Sequence, residues 1–368
     1  MSPIFLYGTL RHLPLLEIVA GRADAGTPAD LADHAVFHAG EAPFPRLEPA
    51  PGQTARGLLV EAGETLERLD FYEGGYGYGL VPVTVETAAG PKEARVYRAG
   101  AVVAAPGAPW SLEAWIDRFG PMTCHLAREA MGYLGQITAE ELAARMPAMA
   151  VRAQARHLAE TGARPAPLAP LPPDAVEMVE TRLPYSSFFS VAEADLRHRQ
   201  FDGSMGPVVR RASFLSGDAV VVLPYDPVRD RVHLIEQYRM GPLFRGDPHR
   251  FLIEAIAGRV DPGESPEEAA HREAMEEAAL TLGALHEVSR SYPSPGAMSE
   301  FLHIFVGIAD LPDAAQGLGG AAAEDEDIRS TLLDYADFEA RLDGGGLNVG
   351  PLIIAGHWLA RNRERLRS

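Results

Sequence analysis

The chain has almost no cysteine: its 368 residues include one, Cys124. A lone thiol forms no internal disulfide, which fits a reducing compartment and points to the cytoplasm. No motif around Cys124 would make it a nucleophile, so it reads as a buried structural thiol. No apolar run reaches the roughly 18 residues that a membrane-spanning helix needs, so no membrane partner is expected. The stretch Met1-Ser2-Pro3-Ile4-Phe5-Leu6-Tyr7-Gly8 lacks both a basic segment and a long apolar core, so it does not read as a secretory leader. Dense Lys/Arg blocks are also missing, and 33 basic against 51 acidic residues leave a net charge of −18. A nucleic-acid binder would need a basic stripe to neutralise phosphates, so no nucleic-acid partner is expected. A small anionic substrate remains compatible with such a chain if a divalent cation bridges the two.

The length exceeds what one compact core usually serves, and two domains are expected. The contents of 46% hydrophobic and 23% charged residues are those of a water-soluble globular protein. Residues 1–105 show short apolar runs broken by Gly and Pro, with strands expected at Val81–Val85 and Ala94–Tyr97. Residues 106–175 read as a helical connector and a linker. One helix opens at Ser111-Leu112-Glu113, and Thr138-Ala139-Glu140-Glu141 forms a capping box before another. Five prolines between Arg164 and Pro173 then make an extended spacer that no helix or central strand can use. Residues 176–368 alternate strands and helices, including a hairpin through Ala219–Leu223 and Val232–Gln237, a helix near 265–280 and a last helix from Val349 to Leu366 capped by Asn348. The expected class is therefore α/β (α+β) in two domains. Gly344-Gly345-Gly346 has no Lys-Ser/Thr pair and follows no strand, so it reads as a turn and not as a phosphate loop.

The chemistry concentrates between Gly258 and Leu280. Ser265 is a good N-cap, Pro266 suits the first helical position, and Glu268 completes a capping box, so the helix begins at a defined point. Glu273 and Glu277 are four residues apart and share one face, with Glu276 beside them. Stacked carboxylates repel unless a cation lies among them, and hard oxygen donors suit Mg²⁺ or Mn²⁺. Taken alone, this glutamate row would be an ordinary solvated face. The full spacing is more specific: Gly258, Glu264, then Arg272-Glu273 and Glu276-Glu277 follow the pattern of the Nudix box. One position departs: Ala279 stands where that box has glycine, in a left-handed turn costing Ala about 1 kcal/mol.

The segment from Val176 onward resembles the bacterial ADP-ribose pyrophosphatases of the Nudix family. The resemblance is carried by Phe188-Phe189-Ser190, Leu196-Arg197-His198-Arg199, Val209-Arg210-Arg211, Leu223–Asp230, Leu234–Arg239, Ser294-Pro295-Gly296 and Glu324–Arg329. It implies an α/β/α sandwich that hydrolyses ADP-ribose to AMP and ribose 5-phosphate with magnesium. Pro295, sixteen residues after Ala279, matches the position that marks ADP-ribose specificity. By the same resemblance, metal would be held by Glu273, Glu277, the carbonyl of Ala257, and Glu326, with Glu276 close by. Glu324 would be the base and Arg272 part of the catalytic group. Arg239 would contact phosphate, Glu300 the terminal ribose, and Phe188 with Arg211 the adenine, in a homodimer formed through this half. Ala212 and Phe301 stand where relatives carry Glu and Arg.

Residues 1–105 resemble the γ-glutamylcyclotransferase-like (AIG2-like) family and its barrel-like fold. Tyr7-Gly8-Thr9-Leu10, Phe44–Pro49, Arg56–Val60 and Leu69–Gly74 carry that likeness. It implies that Tyr7, Gly8, Thr9 and Leu10 present a substrate-binding turn and that Glu73 is the acid/base. The arginine expected after this glutamate is replaced by Leu80. Three alternatives stay open beside the ADP-ribose reading. They are a broader nucleoside-diphosphate-sugar pyrophosphatase, a bifunctional enzyme that also cyclises γ-glutamyl compounds, and a non-catalytic ADP-ribose sensor.

Overall fold

A computed structural model describes residues 2–23, 26–63, 65–100, 103–163, 168, 172, 174–187, 189–320 and 326–368. The chain divides into two compact units, residues 1–163 and 164–368. Most of the proline-rich spacer lies outside the described residues.

The first unit contains β1 (Ile4–Leu6), α1 (Leu13–Ala20), β2 (Thr27–Ala39), β3 (Pro45–Val60), α2 (Thr65–Glu73), β4 (Tyr78–Thr87), β5 (Gly90–Ala99), β6 (Pro106–Pro109), α3 (Leu112–Met131) and α4 (Ala139–Thr161). Strands run in the order β3-β1-β5-β4-β2, and pairing of β2 with β3 closes them into a five-stranded barrel, with β6 added to β2. Closure removes the unpaired edges that an open sheet would expose. Phe5, Leu31, Leu47, Leu59, Val85 and Val96 fill the interior. Gly57 is required on β3, because a Cβ there would lie 2.3 Å from the Phe5 ring and 2.6 Å from the Leu6 carbonyl. Ser111 and Thr138 cap α3 and α4 through their side chains, the latter in the expected capping box.

Both helices lie within this unit. The N-terminus of α4 presses on the turn after α2: a Cβ on Gly75 would meet the Ala139 carbonyl at 2.2 Å. Trp115, Leu126, Leu142 and Met149 are buried, which explains why the pair stays docked.

The second unit contains β7 (Val176–Ser186), β8 (Ser190–His198), β9 (Val209–Leu215), β10 (Asp218–Asp226), β11 (Arg231–Tyr238), α5 (Met240–Arg245), β12 (Phe251–Glu254), β13 (Ile256–Arg259), α6 (Pro266–Ala278), β14 (Leu282–Ser291), β15 (Phe301–Ala309), β16 (Gly317–Gly319), β17 (Ile328–Asp334), α7 (Tyr335–Asp343) and α8 (Gly350–Arg367). The mixed sheet runs β14-β15-β10-β11-β17-β16. Leu223, Tyr225, Leu234, Ile304 and Val306 pack on one face against Phe338, Leu352 and Leu359 of α7 and α8. Alternation along the strands turns Val220, Val222 and Phe305 to the other face, where α6 lies. This is the α/β/α layering expected from the sequence.

The expected β10–β11 hairpin forms only at its closed end, where Tyr225 pairs with Val232 and Asp226 with Arg231. Beyond that point the strands part. β13 pairs with β10 and β12 with β11, so the segment Phe251–Arg259 fills the split. That opening delivers the backbone of Ala257 and Gly258 to the end of α6. Val349, not Asn348, occupies the N-cap of α8, without a side-chain cap. The first turn there contains Pro351, which has no N–H to be capped.

β7, β8 and β9 form a separate antiparallel sheet. Its β9 is tied to the loop before β15: the Phe214 N–H donates to the Ala297 carbonyl, and the Ser299 N–H donates to the Phe214 carbonyl, both at 2.8 Å.

His233 is fully buried on β11, and neither ring nitrogen has a hydrogen-bond partner of normal geometry. Burial lowers its pKa to about 4, against a smaller opposing effect from the Ala315 backbone. The folded form therefore holds a neutral ring while the unfolded chain takes up a proton. The stability this neutral ring permits is fully present above about pH 6.5 and is lost as pH falls toward 4. Urea unfolding at pH 7 and pH 4.5 is expected to show a steeper loss for the wild type than for His233→Leu. The difference should be roughly 2 kcal/mol, and parallel losses would contradict this account.

Candidate active sites

The glutamate helix starts where the sequence sets it. Ser265 Oγ accepts the Glu268 N–H at 3.1 Å, and the Glu268 carboxylate accepts the Ser265 N–H at 2.8 Å. It ends in the left-handed turn that the position of Ala279 demands, with φ 51°. Ala279 donates to the Met275 carbonyl and Leu280 to that of Ala274. The alanine thus accepts the backbone strain that glycine would avoid.

Arg272 organises this face. Its Nε donates to Glu264 at 2.9 Å, its Nη1 to Glu273 at 2.7 Å and to Glu276 at 2.9 Å, and its Nη2 to the Arg259 carbonyl at 2.9 Å. One guanidinium thereby offsets the repulsion of three carboxylates and fixes the loop before α6 to the helix. Glu273 rests directly on Gly258, where a Cβ would lie 1.9 Å from its Oε1. Glu277 is buried and its Oε2 accepts the N–H of Ala257 at 3.2 Å. Glycine at 258 is thus a condition for the carboxylate row to reach the split in the sheet.

Burial raises the Glu273 carboxyl to about 7; Arg272 opposes this, while Glu276 and Glu326 reinforce it. Burial raises Glu277 to about 8, with Glu273 and Glu326 adding repulsion. Buried acids that face one another in this way form a donor set for a hard divalent cation, with the Ala257 carbonyl beside them. Among the described residues, no three acidic or imidazole side chains converge as a finished metal cage. Arg272 holds Glu273 and Glu276 on this face.

Arg239 grips Glu254 with Nε at 3.1 and 3.2 Å and Nη2 at 2.7 Å, within electrostatic reach of Glu277 and Glu326. Glu254 was missed in reading the sequence, although an acid ending the apolar strand Phe251-Leu252-Ile253 needs a buried partner. Glu300 has its pKa raised by burial, with Arg259 and Arg239 pulling it back down. Arg259, also missed, lies 5.8 Å above the Phe189 ring. Arg211 is exposed on β9, its Nη1 donating to the Arg210 carbonyl, and the structure does not bring it to the carboxylates. Pro295 sits in an exposed turn in which the Ser294 carbonyl accepts the N–H groups of Ala297 and Met298. Phe188 and Glu324 lie outside the described residues.

In the first unit, Tyr7 to Leu10 follow β1 and enter a single 3-10 turn at Thr9–Arg11. A Cβ on Gly8 would lie 2.6 Å from Pro45 Cγ, so the close approach of the turn to β3 requires glycine. Glu73 ends α2 and, among the described residues, its carboxylate makes no hydrogen bond. Burial raises its pKa to about 7. The same carboxylate helps raise the phenols of Tyr7, Tyr72, Tyr76, Tyr78 and Tyr97, which places five tyrosines around it. Cys124 is buried, and burial raises its thiol pKa, as expected of a structural thiol.

Family models match part of each unit. The family described as "NUDIX domain" matches residues 215–347, and "Gamma-glutamyl cyclotransferase, AIG2-like" matches residues 4–116. The ADP-ribose pyrophosphatase of Escherichia coli (strain K12) is 38% identical over 193 residues, covering 52% of this chain and 91% of that protein. The ADP-ribose pyrophosphatase of Haemophilus influenzae is 34% identical over 194 residues, covering 52% and 89%. The GDP-mannose pyrophosphatase of Cronobacter sakazakii is 32% identical over 181 residues, covering 49% and 92%.

Gly258→Ala tests the geometry of the carboxylate row. The added methyl must displace Glu273, so pyrophosphatase turnover is expected to fall at least roughly tenfold while the thermal midpoint changes little. Unchanged turnover would show that Glu273 does not act from this position.

Proposed function

This chain belongs to the Nudix family, and from that premise we propose that its C-terminal unit hydrolyses the pyrophosphate bond of ADP-ribose to AMP and ribose 5-phosphate. The observation that carries the reading is the carboxylate pair Glu273 and Glu277, buried against the backbone of Ala257 and Gly258. A divalent cation, Mg²⁺ or Mn²⁺, would be held by Glu273, Glu277, Glu326 and the Ala257 carbonyl, with Glu276 beside them. It would supply charge neutralisation and acidify a water. Arg272 acts by holding Glu273 and Glu276 in place. Arg239, set by Glu254, binds phosphate, and Glu300 binds the terminal ribose. Glu324 is the proposed base that takes a proton from the attacking water. Phe188 and Arg211 enclose the adenine, and Pro295 marks the ADP-ribose preference.

Relatives named GDP-mannose pyrophosphatase favour a second reading, a broader range of nucleoside-diphosphate sugars. Glu73, with a pKa near neutrality, favours a further one: cyclotransferase chemistry at Tyr7, Gly8, Thr9, Leu10 and Glu73 in the first unit. Two copies are proposed to associate through the C-terminal half. Val176, Met178, Val179 and Phe214 stay exposed on the three-stranded sheet, and association would bury them. No described helix is long and apolar enough to cross a membrane.

AMP release from ADP-ribose, measured beside ADP-glucose, GDP-mannose and NADH, is expected to be strongest on ADP-ribose. It should stop when the metal is chelated and fall at least roughly a hundredfold in Glu277→Gln. Equal turnover of all four compounds would replace the ADP-ribose assignment with the broader one. Tight ADP-ribose binding without any turnover would make the unit a sensor. Sedimentation equilibrium is expected to give twice the chain mass; a single-chain mass would overturn the two-copy arrangement.

A further inference from the structure

The pyrophosphatase reading uses only the backbone of Arg259, whose carbonyl accepts Arg272 Nη2 at 2.9 Å. Its side chain is placed by the start of β10. Ala219 pairs with Arg259 on one side and with Leu302 on the other, so these three side chains share one face of the sheet. The Val260 N–H donates to the Asp218 carbonyl at 3.0 Å, which carries that pairing to the first residue of the strand. Glu300 stands on the far side of the same strand end. There the Ser216 N–H donates to Ser299 Oγ at 2.9 Å, and Ser299 Oγ donates to the Ser216 carbonyl at 3.1 Å. The Glu300 carboxylate itself is within hydrogen-bond reach of Ser216, and the charge of Arg259 draws on it. Arg259 and Glu300 thus flank one end of β10. The Arg259 guanidinium also lies 5.8 Å above the centre of the Phe189 ring, and Phe189 is 45% exposed. A guanidinium, a carboxylate and an open aromatic face together suit a neutral sugar. The fork donates to two neighbouring oxygens, the carboxylate accepts from hydroxyls, and the ring covers C–H groups.

We infer that Arg259 is a specificity-determining residue of the C-terminal unit, donating to the adjacent 2- and 3-hydroxyls of the distal ribose while Glu300 accepts from them. This rests on the pyrophosphatase reading above, in which Glu300 binds the terminal ribose, and adds to that site a donor and a rule of selection. The guanidinium fork spans two neighbouring oxygens, so both hydroxyls are read. A distal sugar lacking either one leaves a donor of Arg259 facing a C–H group, and the bond lost is not replaced by water once the sugar is seated. The substrate class is therefore a nucleoside diphosphate joined to a sugar with a free pair of adjacent hydroxyls. The same residue ties this contact to the carboxylates. Its carbonyl is held by Arg272, and it stands two residues after Ala257, so a sugar bound at its side chain is registered against the metal-binding backbone.

The test follows AMP release by the full chain with magnesium, from ADP-ribose and from analogues whose distal ribose lacks the 2- or the 3-hydroxyl. Wild type is expected to lose roughly tenfold or more in kcat/KM on each analogue. Arg259→Met should bring ADP-ribose down to the level of the analogues and leave the analogues nearly unchanged, so that the ratio between them falls to about one. Arg259→Lys keeps the charge without the fork and should recover only part of that ratio. An equal loss on every compound in Arg259→Met would make the residue a prop for Phe189 and overturn the inference. A wild type indifferent to the missing hydroxyls would overturn it too. Calorimetric affinities for the same compounds, measured in the Glu277→Gln background, give the ratios without turnover. Binding with those ratios but no hydrolysis by wild type would remove the pyrophosphatase reading and leave the sugar contact standing. Hydrolysis with a ratio of about one throughout would do the reverse.

Discussion

The arrangement of the second unit depends on one guanidinium. Arg272 binds Glu264, Glu273, Glu276 and the Arg259 carbonyl at once, with three carboxylates sharing its charge. Without it, the acidic face of α6 would repel itself and the loop of residues 260–265 would lose its anchor. Because that loop is fixed, β13 is held against β10, and Gly258 can lie under Glu273. The interaction is better understood as specifying one geometry than as adding stability, since ion pairs removed from water gain little net energy.

The acids that Arg272 does not satisfy carry the chemistry. Glu277 has a backbone N–H as its bonded partner, and burial together with its acidic neighbours raises its pKa to about 8. Glu73 in the first unit follows the same physics on a different scaffold, raised to about 7 by burial among tyrosines. Each unit therefore keeps an acid poised near neutrality, one within a group of acids and one in isolation. A neighbouring cation resolves the first case, and proton exchange with a ligand suits the second.

The second unit holds its partly buried arginines in clamps of acid. The chain is strongly acidic, and in the second unit Arg272 and Arg239 are each clamped by glutamate. Such arginines orient and neutralise.

Much was legible in the sequence because it is local. Ser265 and Glu268 fix the start of α6 within four residues, the spacing of Glu273 and Glu277 fixes a shared face, and Thr138 with Glu141 caps α4. The alternation of apolar residues marked the strands, and the position of Ala279 implied a left-handed turn that the backbone adopts. Other features depend on residues distant in sequence meeting in space, which no local pattern encodes. The split between β10 and β11, filled by β12 and β13, is a matter of sheet pairing. The assignment of α3 and α4 to the first unit rests on Gly75 admitting the Ala139 carbonyl. Burial, which raises Glu73, Glu273 and Glu277 and pairs Glu254 with Arg239, exists only once the layers close. The residues that carry charge and their order were set by the sequence; how strongly each holds its proton was set by the folded surroundings that exclude water.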